Sequence, residues 1–205
     1  MPKKPSKPKS DIPSQPNFEA LETGLRESES QRKAVLSVVG NLLFNWGNNE
    51  GLFVIVLKLL LRTDMESAQI VFFTLNTTQT RLDLIRRLAI QHTEGKMREQ
   101  LLRYLDHFKE LSRTRNDIAH AMWDVSEEGY LTATYSIRFT AKFEQGKIGE
   151  HKPISQARIN EIQNICQLLV KLNRSLWVFL PGLEAYMKRS PAKRREKPAQ
   201  PRPSP

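Results

Sequence analysis

Six residues near the middle of the chain, Arg115-Asn116-Asp117-Ile118-Ala119-His120, place a permanent cation, a carboxamide and an imidazole close together. An arginine can hold a phosphate in a planar fork, and a histidine can move a proton near neutral pH. A phosphate-binding cation and a proton-transferring imidazole are the smallest set of side chains that could cleave a phosphodiester without a metal ion. Polar groups are costly to place beside a core unless something pairs with them. The string is therefore our candidate site, with Arg115, Asn116 and His120 as its side chains.

Helical geometry decides which of these side chains can act together. On an ideal helix, Asn116 and His120 lie about 40° apart and share a face. Arg113 lies about 20° from His120 and is a secondary candidate. Arg115 lies roughly 140° from His120, so it must reach around the helix, or the helix must end near the motif. The alternative to a catalytic role is a helix C-terminus whose cations complement the macrodipole.

Four long helical segments are predicted around this string. Apolar residues recur in steps of three and four, which is typical of helices. The segments cover residues 31–61, 65–92 with an interruption at 76–78, 96–121, and a last helix that starts after residue 155 and stops at Pro181-Gly182. Asp64 and Ser155 are predicted N-caps. Gly47 and Gly51 are positions at which the first long helix could kink or divide.

A change of pattern precedes the last helix. Residues 129–143 alternate in polarity and are rich in Thr, Tyr, Ile and Phe, which predicts a strand, and residues 145–147 are typical of a turn. One small hairpin is expected between Asp124 and Pro153. The predicted fold class is mainly α, an antiparallel helical bundle of about four long helices with a small β-hairpin insert before the last helix.

Both ends of the chain differ in composition from its middle. Residues 1–17 and 188–205 are Pro-rich and basic, and we expect them to be disordered tails on a helical domain of residues 18–187. They carry most of the net charge of +10, so the domain between them is nearly neutral. The tails could hold a polyanion by counterion release, or they could be solvated, solubilising segments.

Metal, cofactor and membrane roles are not indicated. Cys166 is the single cysteine, and the remaining histidines, His92, His107 and His151, lack metal-ligand spacing. We therefore predict neither a metal nor a cofactor. The longest apolar run, residues 52–61, contains Lys58 and is too short to span a bilayer. Without a secretory signal in the first residues, a cytoplasmic protein is expected.

One acidic residue is a further secondary candidate. Trp46 and Glu50 are four residues apart on the first long helix, so the Glu50 carboxylate could approach the motif across the bundle. The alternative is a core tryptophan beside a solvated glutamate.

The string RNDIAH resembles the R-N-x-x-A-H pattern of the HEPN superfamily, which consists of small α-helical bundles. Arg115, Asn116 and His120 match the arginine, polar and histidine positions. Arg113 would satisfy a looser spacing but lacks the adjacent Asn. The resemblance covers the motif and the helical layout of roughly residues 31–182, and excludes the tails and the hairpin.

The resemblance implies metal-independent RNA cleavage in a composite site at the two-fold interface of a homodimer. His120 would act as general acid or base, Arg115 would stabilise charge on the phosphate, and Asn116 would orient the histidine or the phosphate. The products would carry a 2′,3′-cyclic phosphate. Such a protein could be a toxin or defence effector with an antitoxin or other regulatory partner. Other superfamily members are not nucleases, which leaves a non-catalytic interaction or dimerisation module, tethered by its tails to nucleic acid or an acidic partner, as the alternative.

Overall fold

The structure, a computed structural model, describes residues 18–126, 128–136 and 151–189. Within these residues the elements are α1 (Phe18–Glu27), α2 (Glu29–Leu61), α3 (Met65–Thr74), α4 (Thr78–His92), α5 (Gly95–Ala119), β1 (Ala121–Val125), β2 (Leu131–Ser136), β3 (His151–Pro153) and α6 (Gln156–Arg189). The prediction of a mainly α fold with a β insert before the last helix is confirmed. The predicted tail at residues 1–17, residues 137–143 of the predicted strand, the predicted turn at 145–147 and residues 190–205 of the second predicted tail lie outside the described residues. Lys188 and Arg189, which the sequence assigned to that second tail, belong to α6.

The β insert is larger than the predicted hairpin. β2 and β3 pair antiparallel, with Ala133 opposite Pro153 and Tyr135 opposite His151, and β1 adds a third strand on the other side of β2. β1 starts at Ala121, immediately after the motif. Helical periodicity had predicted that the motif helix would continue to residue 121. The structure thus ends the motif helix two residues earlier than predicted and turns its continuation into a strand.

The predicted helix caps are confirmed. Asp64 accepts a hydrogen bond from the backbone N–H of Ser67 at 2.8 Å, and Ser155 Oγ accepts one from the backbone N–H of Arg158 at 3.2 Å. The backbone N–H and hydroxyl of Ser67 lower the pKa of the Asp64 carboxyl. These bonds satisfy donors that the first turn of a helix otherwise leaves without partners.

Two helices continue through residues that could have interrupted or ended them. α2 continues through Gly47 and Gly51 without division. α6 continues past Pro181 to Arg189, so the predicted stop at Pro181-Gly182 was wrong. Proline removes a helical hydrogen bond and crowds the preceding turn. In α6 the buried apolar stripe resumes after the proline with Leu183 and Met187, and their burial outweighs that local penalty.

The chain divides into two compact units. The larger contains residues 38–121 and 155–189 of the described chain, and its contacts set the helix directions. Trp46 and Phe53 of α2 meet Arg115 and Phe108 of α5 respectively, so these two helices run antiparallel. α6 is antiparallel to α5 as well, because its early residue Glu161 meets Thr114 while its later residue Phe179 meets Tyr104.

Aromatic and aliphatic side chains form the core of this larger unit. The Trp46 and Phe108 rings stack with centroids 3.9 Å apart and an interplanar angle of 20°. Further fully buried residues come from all the longer helices of the unit: Leu42, Phe53, Leu57, Ile85, Leu101, Leu105, Leu169 and Leu176. The C-terminal part of α5 is therefore fixed against α2 by a stacked ring pair at its inner face.

The smaller unit contains residues 18–37 and the described residues between 122 and 154. Gln31 holds the start of β2 by donating to the Leu131 carbonyl at 2.9 Å and accepting from the Leu131 N–H at 3.3 Å. A Cβ on Gly24 would lie 2.5 Å from the carbonyl carbon of Glu128. Only glycine permits this approach of two backbones.

In the described part of the chain, no helix combines the length and the apolar character needed to cross a bilayer.

Substitution of two glycines should change stability in opposite directions. Gly47 is an exposed residue in the interior of α2. A Cβ added to it would have no described atom within 4 Å, apart from its chain neighbours and the local helix backbone. We expect Gly47→Ala to raise the free energy of unfolding by about 0.5–1 kcal/mol, since alanine restricts the unfolded chain. Gly24→Ala should lower it, because its Cβ would collide with Glu128. Urea unfolding followed by circular dichroism measures both, and destabilisation by Gly47→Ala would contradict an open face.

Candidate functional site

Arg115 is held in place by an aromatic ring from another helix. Its guanidinium carbon lies 5.1 Å from the centroid of Trp46, within cation–π range. Trp46 is only 1% exposed and is itself stacked on Phe108, so the ring is a rigid support. Arg115 is half-buried and belongs to the last two turns of α5. The buried Trp46 ring therefore restricts the position of the Arg115 guanidinium.

Asn116 is bonded to its neighbour Arg115. Arg115 Nη1 donates to Asn116 Oδ1 at 3.0 Å. The carbonyl of Asn116 also accepts the backbone N–H of His120 at 3.2 Å. Asn116 thus contacts both other members of the candidate triad, through its side chain in one case and its main chain in the other.

His120 is the residue at which α5 ends. It is the C-cap, with φ −120° and ψ 15°, and its side chain is exposed. Residues in this sparsely populated backbone region recur in active sites. Because His120 has left the helical conformation, the separation of roughly 140° from Arg115 on an ideal helix does not apply to it. The helix ends near the motif, which was the second of the two options.

The two secondary candidates have different surroundings. Arg113 is exposed on α5. Glu50 is mostly buried and forms an ion pair with Arg81 of α4, with Oε1 2.9 Å from Arg81 Nη1. Arg81 also donates to the Leu75 carbonyl at 2.9 Å and lies over the Phe72 ring, so Glu50 is the counter-ion of a residue that fastens α3 to α4. Trp46, by contrast, is both a core residue and a support of the motif.

Sequence reasoning missed a polar network that joins the motif helix to α6. Thr114 Oγ1 donates to Glu161 Oε1 at 3.2 Å, and Arg158 Nη1 donates to Glu161 Oε2 at 2.6 Å. Thr114 immediately precedes Arg115. A basic residue in the first turn of a helix opposes the helix dipole, and this was the available signal for Arg158. Its partners depend on how α5 and α6 pack, which periodicity does not specify.

Arg115 and His120 could each contribute one step to the cleavage of a phosphate ester. A cation of restricted position can stabilise negative charge on phosphate oxygens. An exposed imidazole at the end of the same helix can exchange a proton with a bound substrate. Among the described residues, His, Cys, Asp and Glu side chains form no group of three that could hold a metal ion.

Comparison with models of protein families, with curated proteins and with solved structures gave no match to this chain.

The contact between Trp46 and Arg115 can be measured by a double-mutant cycle. We expect Trp46→Phe and Arg115→Met to show a coupling energy of about 0.5–2 kcal/mol, because the cation–π contact is partly desolvated. Urea unfolding of the wild type, both single variants and the double variant gives this value. Purely additive effects would contradict an energetic contact between the guanidinium and the indole ring.

Proposed function

We propose that this chain is a metal-independent endoribonuclease of the HEPN type, acting as a homodimer with a composite site. The observation that carries the proposal is the arrangement at the end of α5, where Arg115 lies over Trp46, bonds to Asn116, and is followed by the exposed C-cap His120. The motif resemblance supplies the reaction class.

Each residue has a role that follows from its chemistry. His120 takes a proton from the ribose 2′-hydroxyl or delivers one to the leaving 5′-oxygen. The 2′-oxygen then forms the new bond to phosphorus while the bond to the 5′-oxygen breaks, which leaves a 2′,3′-cyclic phosphate. Arg115 stabilises the charge that develops on the non-bridging oxygens. Asn116 fixes the guanidinium through their hydrogen bond.

The burial of the motif supports a composite site. One face of Arg115 is covered by Trp46, while His120 is exposed at the helix end. A second copy related by a two-fold axis would oppose this end with an identical Arg115 and His120, because symmetric interfaces place the same surface on both partners. Each composite site would then combine Arg115 of one protomer with His120 of the other.

A cleavage assay on purified protein tests the ribonuclease proposal. In the presence of a chelator, the wild type should cut single-stranded RNA and leave 2′,3′-cyclic phosphate ends, and should leave DNA of the same sequence intact. We expect His120→Ala to lower kcat by about 10²- to 10⁴-fold, and Arg115→Gln by about 10²- to 10³-fold.

Matched variants on the same helix control for these substitutions. His107→Ala and Arg103→Gln remove the same side-chain types from α5 at positions away from the motif, and both should retain wild-type rates. Arg113→Gln tests the looser spacing separately. Unchanged RNA after incubation with a folded, dimeric wild type would contradict the proposal, as would a His120→Ala variant that cuts as fast as the wild type.

Mixing two inactive variants tests whether the site is composite. A heterodimer of His120→Ala with Arg115→Gln keeps one intact His120 and one intact Arg115 on opposite protomers. Random exchange of subunits makes about half of the dimers mixed, so we expect partial recovery of cleavage. Recovery requires the two side chains to act across an interface, and a mixture as inactive as its components would contradict the composite arrangement.

The non-catalytic module predicted as the alternative gives a different set of results. It would bind RNA or an acidic partner and lose that binding at high salt. Neither the wild type nor the His120→Ala variant would cut RNA. Overexpression in bacteria separates the two further, because growth arrest that depends on His120 is expected only of a nuclease acting as a toxin or defence effector.

A further inference from the structure

Arg158 occupies an unusual position for a cation. It lies in the first turn of α6, and its side chain is 10% exposed. Glu161 pairs with Nη1 and with nothing else on the guanidinium. The positive end of the helix dipole favours anions at this position, so the arginine is placed where its own charge is opposed.

The opposite edge of the Arg158 guanidinium has unused donors. Nε and Nη2 are buried, and neither has a hydrogen-bond partner among the described residues. Their N–H bonds point in the same direction and form the planar fork that accepts two oxygens of a phosphate or carboxylate. Buried donors without acceptors are rare in folded proteins, because their lost hydration is not replaced.

The location of this fork connects it to the motif. Glu161 bridges Arg158 to Thr114, the residue directly before Arg115, through contacts of 2.6 Å and 3.2 Å. Arg158 is therefore linked, within the larger unit, to the residue of α5 that directly precedes the motif. An anion at the fork would be close in the fold to the end of α5, and its charge would be favoured by Arg158 and by the N-terminus of α6.

We propose that the Nε–Nη2 edge of Arg158 binds a phosphate group of the RNA strand that is cleaved at Arg115 and His120, an assignment of ligand that rests on the proposed ribonuclease function. The bound group is a phosphodiester flanking the scissile one. Arg158 is thus a substrate-binding residue that takes no part in proton transfer.

Binding must move the Arg158 side chain toward solvent. Nε and Nη2 are covered in the free protein, so a phosphate reaches them only when the guanidinium turns outward. Long side chains such as arginine have the torsional freedom for this. The unpaired donors favour the movement, because the phosphate supplies the hydrogen bonds that the buried position lacks.

Thermal unfolding of the full chain with inorganic phosphate tests the fork independently of catalysis. At constant ionic strength, phosphate should raise the melting temperature of the wild type by a few degrees, since a ligand of the folded state stabilises it by mass action. Arg158→Met keeps the packing volume and should lose this response. Arg158→Lys keeps the charge without the fork and should lose most of it.

The matched control is Arg174→Met, which removes the same charge from an exposed position on the same helix. Its response to phosphate should equal that of the wild type. An equal response of Arg158→Met would overturn the proposal, because binding would then occur elsewhere. An equal response of the wild type to acetate would also overturn it, since the fork would then select any carboxylate.

RNA binding and cleavage distinguish failure of this inference from failure of the proposed function. With an uncleavable 2′-O-methyl RNA, Arg158→Met should bind about 10- to 100-fold more weakly than the wild type and the Arg174→Met control. With cleavable RNA it should raise KM while kcat stays near the wild-type value, whereas His120→Ala lowers kcat.

Two outcomes separate the hypotheses. Cleavage by Arg158→Met with an unchanged KM would refute the role of Arg158 and leave the ribonuclease intact. An intact RNA substrate together with phosphate and RNA binding that depends on Arg158 would refute the ribonuclease and leave the phosphate site standing.

Discussion

The stacked pair of Trp46 and Phe108 is the contact on which the candidate site depends. It joins α2 to α5 in the core of the larger unit, and the Arg115 guanidinium lies over the same indole ring. A cation beside a hydrophobic core is ordinarily costly. Here the aromatic face of Trp46 and the Asn116 amide offset that cost. The same tryptophan therefore both packs the core and positions the cation.

The end of α5 is the second constraint. Ala119 is the last helical residue, His120 caps the helix, and β1 starts at the next position. A histidine inside a helix would be limited to the rotamers and direction that the helix allows. At the C-cap it is exposed and shares a backbone hydrogen bond with Asn116. Conversion of the chain from helix to strand directly after the motif therefore makes the imidazole accessible.

Polar residues around the motif divide into those that fasten helices and those with unused hydrogen-bonding capacity. Glu50 and Arg81 satisfy one another, and Arg81 also donates to the carbonyl of Leu75, between α3 and α4. Arg158 is satisfied on one edge only. A buried charged network stabilises a fold only when its members are paired. The incomplete pairing of Arg158 is therefore the observation behind the phosphate site that we propose, whereas the ion pair with Arg81 accounts for the burial of Glu50.

The sequence by itself determined the helical class and the caps at Asp64 and Ser155, because periodicity and capping chemistry are local properties. It also made Arg115, Asn116 and His120 the candidate site, on the types and spacing of their side chains. It misplaced the end of α6 at Pro181, since burial of Leu183 and Met187 is a tertiary effect that outweighs the local preference of proline. Only the tertiary structure decided that Trp46 supports Arg115, that Glu50 pairs with Arg81, and that Glu161 links Arg158 to Thr114 of α5. These contacts link residues distant in sequence, and their existence depends on how the helices pack, which local patterns do not encode.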